Sequence, residues 1–239
     1  IAFAKQLTTQ PGPQLAVLIH LKLFQRLGYF TVLAEVPERI RKHIAKAARL
    51  GRVLASDQLE RYDVSGSKRR HMPQLRKFIG VRPLDKSGLA WLDTVATAAA
   101  QTKHTIPDIV NVLLEELVHH RYELPGFRTL ELAAIGARER VNLGYYRSIS
   151  HALTPATRTL IDELLRAPEG SRFTGWHSLK REPGRPTNKE VRFYLQHIRM
   201  LQQLAEQLPP IDVPVPKLKQ FRAMARAYDA SELAELAPD

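Results

Sequence analysis

The chain has no cysteine among its 239 residues. That excludes disulfide scaffolds, thiolate metal sites and cysteine nucleophiles, and it fits a reducing cytosol. Long hydrophobic runs are missing as well. The longest, LAVLIHLKLF at 15–24, is broken by His20 and Lys22; it is too short to cross a bilayer and lacks a signal-peptide pattern, so no membrane partner is expected. The 12 glycines stand singly, which leaves no glycine-rich loop to cradle a phosphate. His119 and His120 are adjacent and cannot share a helix face, and Glu115-Glu116 beside them make no HExxH pattern. Asp93 and Asp162-Glu163 read as ordinary helix acids, and nothing gathers three carboxylates for two-metal chemistry. The expectation is a chain with no catalytic site, no cofactor and no small-molecule substrate of its own. It opens at Ile1 inside a patterned stretch and reads as a piece of a longer protein.

Acid is the scarcest charge. Lys and Arg total 36 against 24 Asp and Glu, a formal net charge of +12, which predicts a polyanionic partner. The excess is uneven: residues 61–82 hold seven basic side chains and one acid, and 171–199 hold seven and two, whereas 83–170 are slightly acidic with nine and eleven. Two basic islands separated by a near-neutral middle suggest two contact regions.

Nearly every segment has helical periodicity, so the fold class expected is all-α: consecutive helix-turn-helix-like modules, then a linker and further helices. Residues 15–27 form an apolar helix stopped by Gly28. Pro37 opens a second with Ile40, Ile44 and Ala47 inward, ended by Gly51. Ser56 caps a short helix over 57–62, and a basic helix follows. After a turn at 82–85 come helices over 87–102 (Leu89, Leu92, Val95 and Ala96 inward), 106–120, 129–153 with Thr129 as cap, and 155–166 behind Thr154. A helix from Lys189 is capped by Thr187, and a stiff proline-rich linker at 208–216 leads to a last helix over 217–236. The expected domains are 1–83 and 84–168, both helical and DNA-binding, and 169–239, which carries the second basic helix, the linker and the start of a further helical domain.

The first island is the most informative stretch. In YDVSGSKRRHMPQLRKFIGVR (62–82), Met72, Leu75, Phe78 and Ile79 fall on one helix face, and Arg70, Gln74 and Lys77 point the other way with Arg69 and Arg76 on a flank. Pro73 is comfortable only in a first turn, so the helix is expected to start near Arg70, after a Ser65-Gly66-Ser67 turn. Such a helix can enter a DNA groove, where Arg or Lys reads guanine and Gln reads adenine. The plain alternative is a solvated charged face. Arg69, Arg70, Gln74 and Lys77 are the candidate groove contacts, and Lys68, Arg76, Arg82, Arg140 and Arg147 the candidate phosphate contacts. In the second island, Val191, Tyr194, Ile198, Leu201, Ala205 and Leu208 line one side of a helix, with Lys189, Arg192, Gln196 and Arg199 opposite. Before it, Pro183-Gly184-Arg185-Pro186 resembles the minor-groove-seeking core of AT-hooks, or simply introduces the helix. Lys180, Arg181, Arg185, Lys189, Arg192 and Arg199 are the candidates for a second surface on the DNA backbone or minor groove.

The order of these pieces resembles the N-terminal region of Tn-three-family replicative transposases. AVLIHLKLFQRLGYF followed by VPERI, then Tyr62, KRRH ending in His71, Leu75-Arg76 and Gly80-Val81-Arg82 match the family's order. So do HHRYELPGFRTLELAAIGARERV, LTPATRTLIDELL, PGRPTNKEV and KLKQFRAMARAYDASELAEL. The resemblance implies a helical region that binds the double-stranded DNA of terminal inverted repeats. It also implies a longer parent whose acidic, divalent-metal-dependent catalytic domain lies elsewhere, with a homodimer formed through the full-length protein. Two rivals stand beside it: a dimerisation module built on the 191–208 helix with incidental charge, and a basic helical nuclease.

Overall fold

The computed structural model describes residues 1–50, 55–171, 173–182, 184–208, 210 and 212–228. Among these, the regular structure is all-α: twelve α-helices, one 3-10 turn and no strand. Packing groups 1–96 with 110–134 into one compact unit, and 97–109 with the described part of 135–239 into another. Neither 83 nor 168 is a boundary of these units.

In the first unit, α1 (Ala2–Leu7) leads into α2 (Pro11–Leu27), whose first turn takes both Pro11 and Pro13. Leu15, Ala16, Val17, Leu18, Ile19 and His20 of α2 are all buried, so this helix is covered on every side and forms the axis of the core. Gly28 ends it in the left-handed region at φ 77°, its N–H donating to the Phe24 carbonyl at 2.9 Å. The positive φ calls for glycine, and a Cβ there would lie 2.7 Å from Leu124 Cδ1, which would have to move aside. A 3-10 turn (Leu33–Glu35) precedes α3 (Glu38–Ala47), α4 (Ser56–Asp63) and α5 (Gly66–Ile79). Leu33, Ile44, Leu59, Tyr62, Met72 and Leu75 close the core around α2.

Next come α6 (Lys86–Thr102), α7 (Ile106–His119) and α8 (Phe127–Ala152). The segment after α7 returns beside Arg82, whose N–H donates to Arg121 O and whose carbonyl accepts from Glu123 N, both at 2.8 Å. The expected turn at 82–85 is therefore tied into the first unit. In the second unit, α9 (Pro155–Leu165) and α11 (Asn188–Gln207) begin as expected, with Thr154 Oγ1 accepting from Thr157 N at 3.1 Å and Thr187 Oγ1 from Glu190 N at 3.2 Å. Between them lies α10 (Gly175–Leu179), which the sequence did not announce. α12 (Val215–Ala227) lies against α8, with the Phe221 ring 5.7 Å from Tyr146 and Lys217 Nζ donating to Asn142 Oδ1 at 2.9 Å.

Several expectations need correction. The basic helix starts at Gly66, capped by Ser65, so Pro73 sits in its interior and leaves the Arg69 carbonyl without its intrahelical donor. A side-chain cap and a glycine stop at each end outweigh one lost hydrogen bond. Phe78 is 55% exposed rather than inward. The inner face of α3 is Arg41, Ile44, Ala45 and Ala48, with Ile40 exposed, and Pro37 occupies the cap position just before the first helical residue. α4 includes Ser56, with Ala55 at the cap position. Thr129 lies inside α8, and Leu89 is exposed while Ala99 and Ala100 take the inner face of α6. Gly51, Pro183 of the PGRP run, two linker residues and the expected helix beyond 228 fall outside the described residues.

Candidate nucleic-acid interface

The α4–α5 corner is built by three side chains close together in sequence. Asp63 is the one acid of the basic stretch, and its two oxygens have separate tasks. Oδ2 accepts from Leu33 N at 2.7 Å and Oδ1 from Lys68 Nζ at 2.6 Å, fastening the 3-10 turn to the start of α5. Ser65 Oγ accepts from Lys68 N at 3.2 Å and caps the helix. The Tyr62 hydroxyl lies 2.8 Å from His71 Nδ1 in a buried pair. Burial, and then the Asp63 charge, push the phenol far above its ordinary range; burial, and then the Arg70 charge, push His71 down. The pair is therefore a neutral phenol and a neutral imidazole at pH 7. Sequence reasoning singled out neither Asp63 nor this pair for a role, since only proximity in the fold reveals it.

With α5 anchored by His71, Met72 and Leu75, its remaining face is open to solvent. Arg69, Arg70, Gln74 and Lys77 are all exposed, and Arg70, Gln74 and Lys77 follow one stripe. Arg69, Gln74 and Lys77 have no polar partner among the described residues, and Arg70 Nη2 reaches only Ser67 Oγ at 3.4 Å. The candidate phosphate contacts behave differently. Lys68 is held by Asp63. Arg76 Nε donates to Glu123 Oε2 at 2.8 Å, and its guanidinium lies 5.5 Å from the Phe30 ring centre. Arg82 Nη2 donates to the His120 carbonyl at 2.9 Å and its guanidinium covers the Tyr122 ring at 4.3 Å. These three cations buttress the first unit. Arg140 in α8 reaches Thr97 Oγ1 at 3.4 Å, while Arg147 is exposed.

The second island lies in the other unit. Lys180 donates to the Tyr228 carbonyl and lies 5.8 Å from the Trp176 ring centre. Arg181 is paired with Glu190, which also accepts from Gly184 N at 3.2 Å; these bonds hold the Glu190 carboxyl below its usual range. Arg185, Lys189, Arg192 and Arg199 are exposed and without polar partners among the described residues. No residue of α11 is fully buried. Phe193, His197, Met200 and Leu204 form its half-buried side, whereas Val191, Leu195 and Ile198 are about half exposed, at 50, 48 and 49%. The inner face expected from Val191 and Ile198 is thus rotated toward Phe193 and Met200, and Met200 and Leu204 line one cleft together with Leu160 and Leu164 of α9.

Two further facts bear on chemistry. No helix among the described residues is long and apolar enough to cross a membrane. Among the same residues, no three His, Asp or Glu side chains converge to hold a metal ion.

The family described as Domain of unknown function (DUF4158) matches residues 1–137, more than half of the chain. The chain belongs to that family. The DUF4158 match takes in α1 to α7, the start of α8 and the whole α4–α5 corner; α11 lies beyond it. The chain is also similar to the transposase for transposon Tn501 of Pseudomonas aeruginosa, 28% identical over 189 residues, which is 79% of this chain and 18% of that protein. The transposase for transposon Tn3926 of Escherichia coli is 28% identical over 136 residues, 56% of this chain and 13% of the relative. The transposase for transposon Tn21 of Escherichia coli is 24% identical over 135 residues, with the same coverage of 56% and 13%. The chain therefore spans less than a fifth of the length of these relatives. The resemblance to the N-terminal region of Tn-three-family transposases, read from the order of its motifs, holds.

Proposed function

We propose that this chain binds the terminal inverted repeats of a transposon as the non-catalytic N-terminal part of a transposase. The observation that carries the reading is the exposed stripe of α5: Arg70, Gln74 and Lys77, with Arg69 beside them, on a helix whose opposite face is sealed in a core. Side chains of this type on a fixed helix can reach guanine and adenine edges in a major groove. The relatives' names supply the context of transposition. α4 and α5 would act as a helix-turn-helix pair, and the exposed cations of α11 as a second, backbone-directed surface. The catalytic carboxylates and their divalent metal would belong to another part of a longer bacterial protein acting on nucleoid DNA.

The test is a titration on inverted-repeat duplex against a scrambled duplex of the same length. If six to eight phosphates are neutralised, log K falls with log salt at a slope of roughly −5 to −7. Arg70→Ala/Lys77→Ala removes the preference for the inverted repeat. A flat salt dependence, or equal footprints for wild type and variant, would overturn the reading.

A second reading rests on the half-exposed Val191, Leu195 and Ile198, which could cover one another in a dimer. Sedimentation separates the two: a salt-stable dimer indifferent to DNA favours the second.

A further inference from the structure

Beside the exposed stripe of α5 lies a cleft that neither periodicity nor family likeness singles out. It is about 490 Å³ in volume and runs between α5 and the corner joining α1 to α2. From α5 it receives Ser67, Arg70 and Gln74; from the corner it receives Lys5, Thr9 and Gln10. No carboxylate lines it. Lys5 and Thr9 are exposed and have no polar partner among the described residues. In a protein where Lys68, Arg76 and Arg181 are each paired with a carboxylate, two cations converging on a cleft without an acid are poised for an anion.

The cleft is also held in shape. The Phe3 ring stacks on Phe78 at 4.0 Å, which fixes α1 against the end of α5. Gln14 Nε2 donates to the Thr8 carbonyl at 2.8 Å, which fixes the corner. His71 forms part of the wall. Its Nδ1 lies 2.8 Å from the Tyr62 hydroxyl, which holds the ring in place. Two cations, hydroxyls and side-chain amides in one pre-shaped recess form a donor set for an oxyanion, with little ordering left to do on binding.

We propose that this cleft seats one backbone phosphodiester of the DNA strand that flanks α5, with Lys5 and one edge of the Arg70 guanidinium neutralising it and Thr9 and Ser67 fixing its oxygens, the other guanidinium edge staying available to a base. Lys5 and the α1–α2 corner thereby become part of the DNA-binding surface and set the depth at which α5 enters its groove. The inference rests on the DNA-binding reading given above.

The experiment uses an inverted-repeat duplex and a set of the same duplexes in which single phosphates are replaced by neutral methylphosphonates. Wild type is compared with Lys5→Ala and Thr9→Val; both side chains are exposed and unpartnered, so neither change undermines the fold. We expect the salt slope of Lys5→Ala to be shallower by about 0.9, one phosphate contact fewer. We expect one methylphosphonate position to weaken wild type about tenfold, as loss of a charge-assisted contact does, yet to weaken Lys5→Ala hardly further. Thr9→Val is affected at the same position. A wild-type slope in Lys5→Ala, or effects that simply add at every phosphate, overturns the cleft proposal and leaves the DNA reading standing. A wild-type chain that does not bind the duplex at all overturns both.

Discussion

α5 and α11 share one pattern in sequence: a basic face opposite an apolar one, within a cationic island. Folding treats them in opposite ways. α5 buries His71, Met72 and Leu75, is capped by Ser65 at one end and stopped by Gly80 at φ 78° at the other, and is fastened by Asp63 and by Arg76. α11 has a good N-cap but no buried residue, and three of its larger apolar side chains stay about half exposed. Amphipathic periodicity thus shows that a helix has two sides. Whether the apolar side is covered depends on what the rest of the chain brings to it. The basic face of α5 is held rigid and suits reading a fixed surface; that of α11 rests on a lighter foundation and suits contacts that tolerate adjustment.

The largest expected effect that sharpens this contrast is on stability. Leu75 is completely buried, and Leu75→Ala should cost about 2–5 kcal/mol, whereas Leu195→Ala on α11 should cost under about 1 kcal/mol. Thermal or urea unfolding of the two variants measures the gap, and equal losses would erase the distinction between the helices. Asp63→Ala comes next. It strips Leu33 N–H of its acceptor and leaves Lys68 unpaired, for a loss of about 2 kcal/mol by the same assay.

A pH profile gives an effect of similar size. His20 on α2 has neither ring nitrogen hydrogen-bonded, and burial holds it down at about 4, with the Lys68 charge adding and the Asp63 charge opposing. An unfolded histidine titrates near 6.5, so between about 6.5 and 4 the unfolded chain binds the extra proton. Stability therefore falls as pH drops through that window and levels off below it. From this group alone the protein should be about 2 kcal/mol less stable at pH 5 than at pH 7. His20→Leu should flatten the profile across the same window in denaturant titrations. The smallest effect belongs to α11: Arg192→Ala/Arg199→Ala should leave stability within about 0.5 kcal/mol and only make the DNA salt slope shallower, by up to about 2. A large drop in stability would mean that these arginines buttress the fold as Arg76 does.

The sequence showed much of the local structure and little of the long-range commitments. Gly28, Thr154-Pro155 and Thr187 marked helix ends correctly, because a stop glycine and a hydroxyl cap act within four residues. α5 starts earlier than Pro73 suggests because Ser65 caps it through Lys68 N, and the helix absorbs the one hydrogen bond that the proline removes. α1, with six residues, is too short to show a period. Arg76 and Arg82 look as available in sequence as Arg69 and Lys77. Their partners, Glu123 and His120, lie 47 and 38 residues away, beyond the reach of any local pattern. The exposed stripe of α5 was legible because helical spacing alone places it opposite a hydrophobic row. The cleft beside it was not, since half of its wall belongs to α1 and α2.

The return of the chain at residues 121–124 has a consequence for how the protein is made. Leu124 N donates to the Gly28 carbonyl at 3.0 Å, Glu123 N to the Arg82 carbonyl at 2.8 Å, and the Glu123 carboxylate holds Arg76. α2 and α5 leave the ribosome well before this segment does. Until it follows, the end of α2 lacks its clasp and Arg76 lacks its carboxylate, a bare cation in a nascent chain already rich in them. Closing ties this distant in sequence costs loop entropy before the contacts return any stability. During that interval α5 lacks part of the scaffold that sets the position of its basic face.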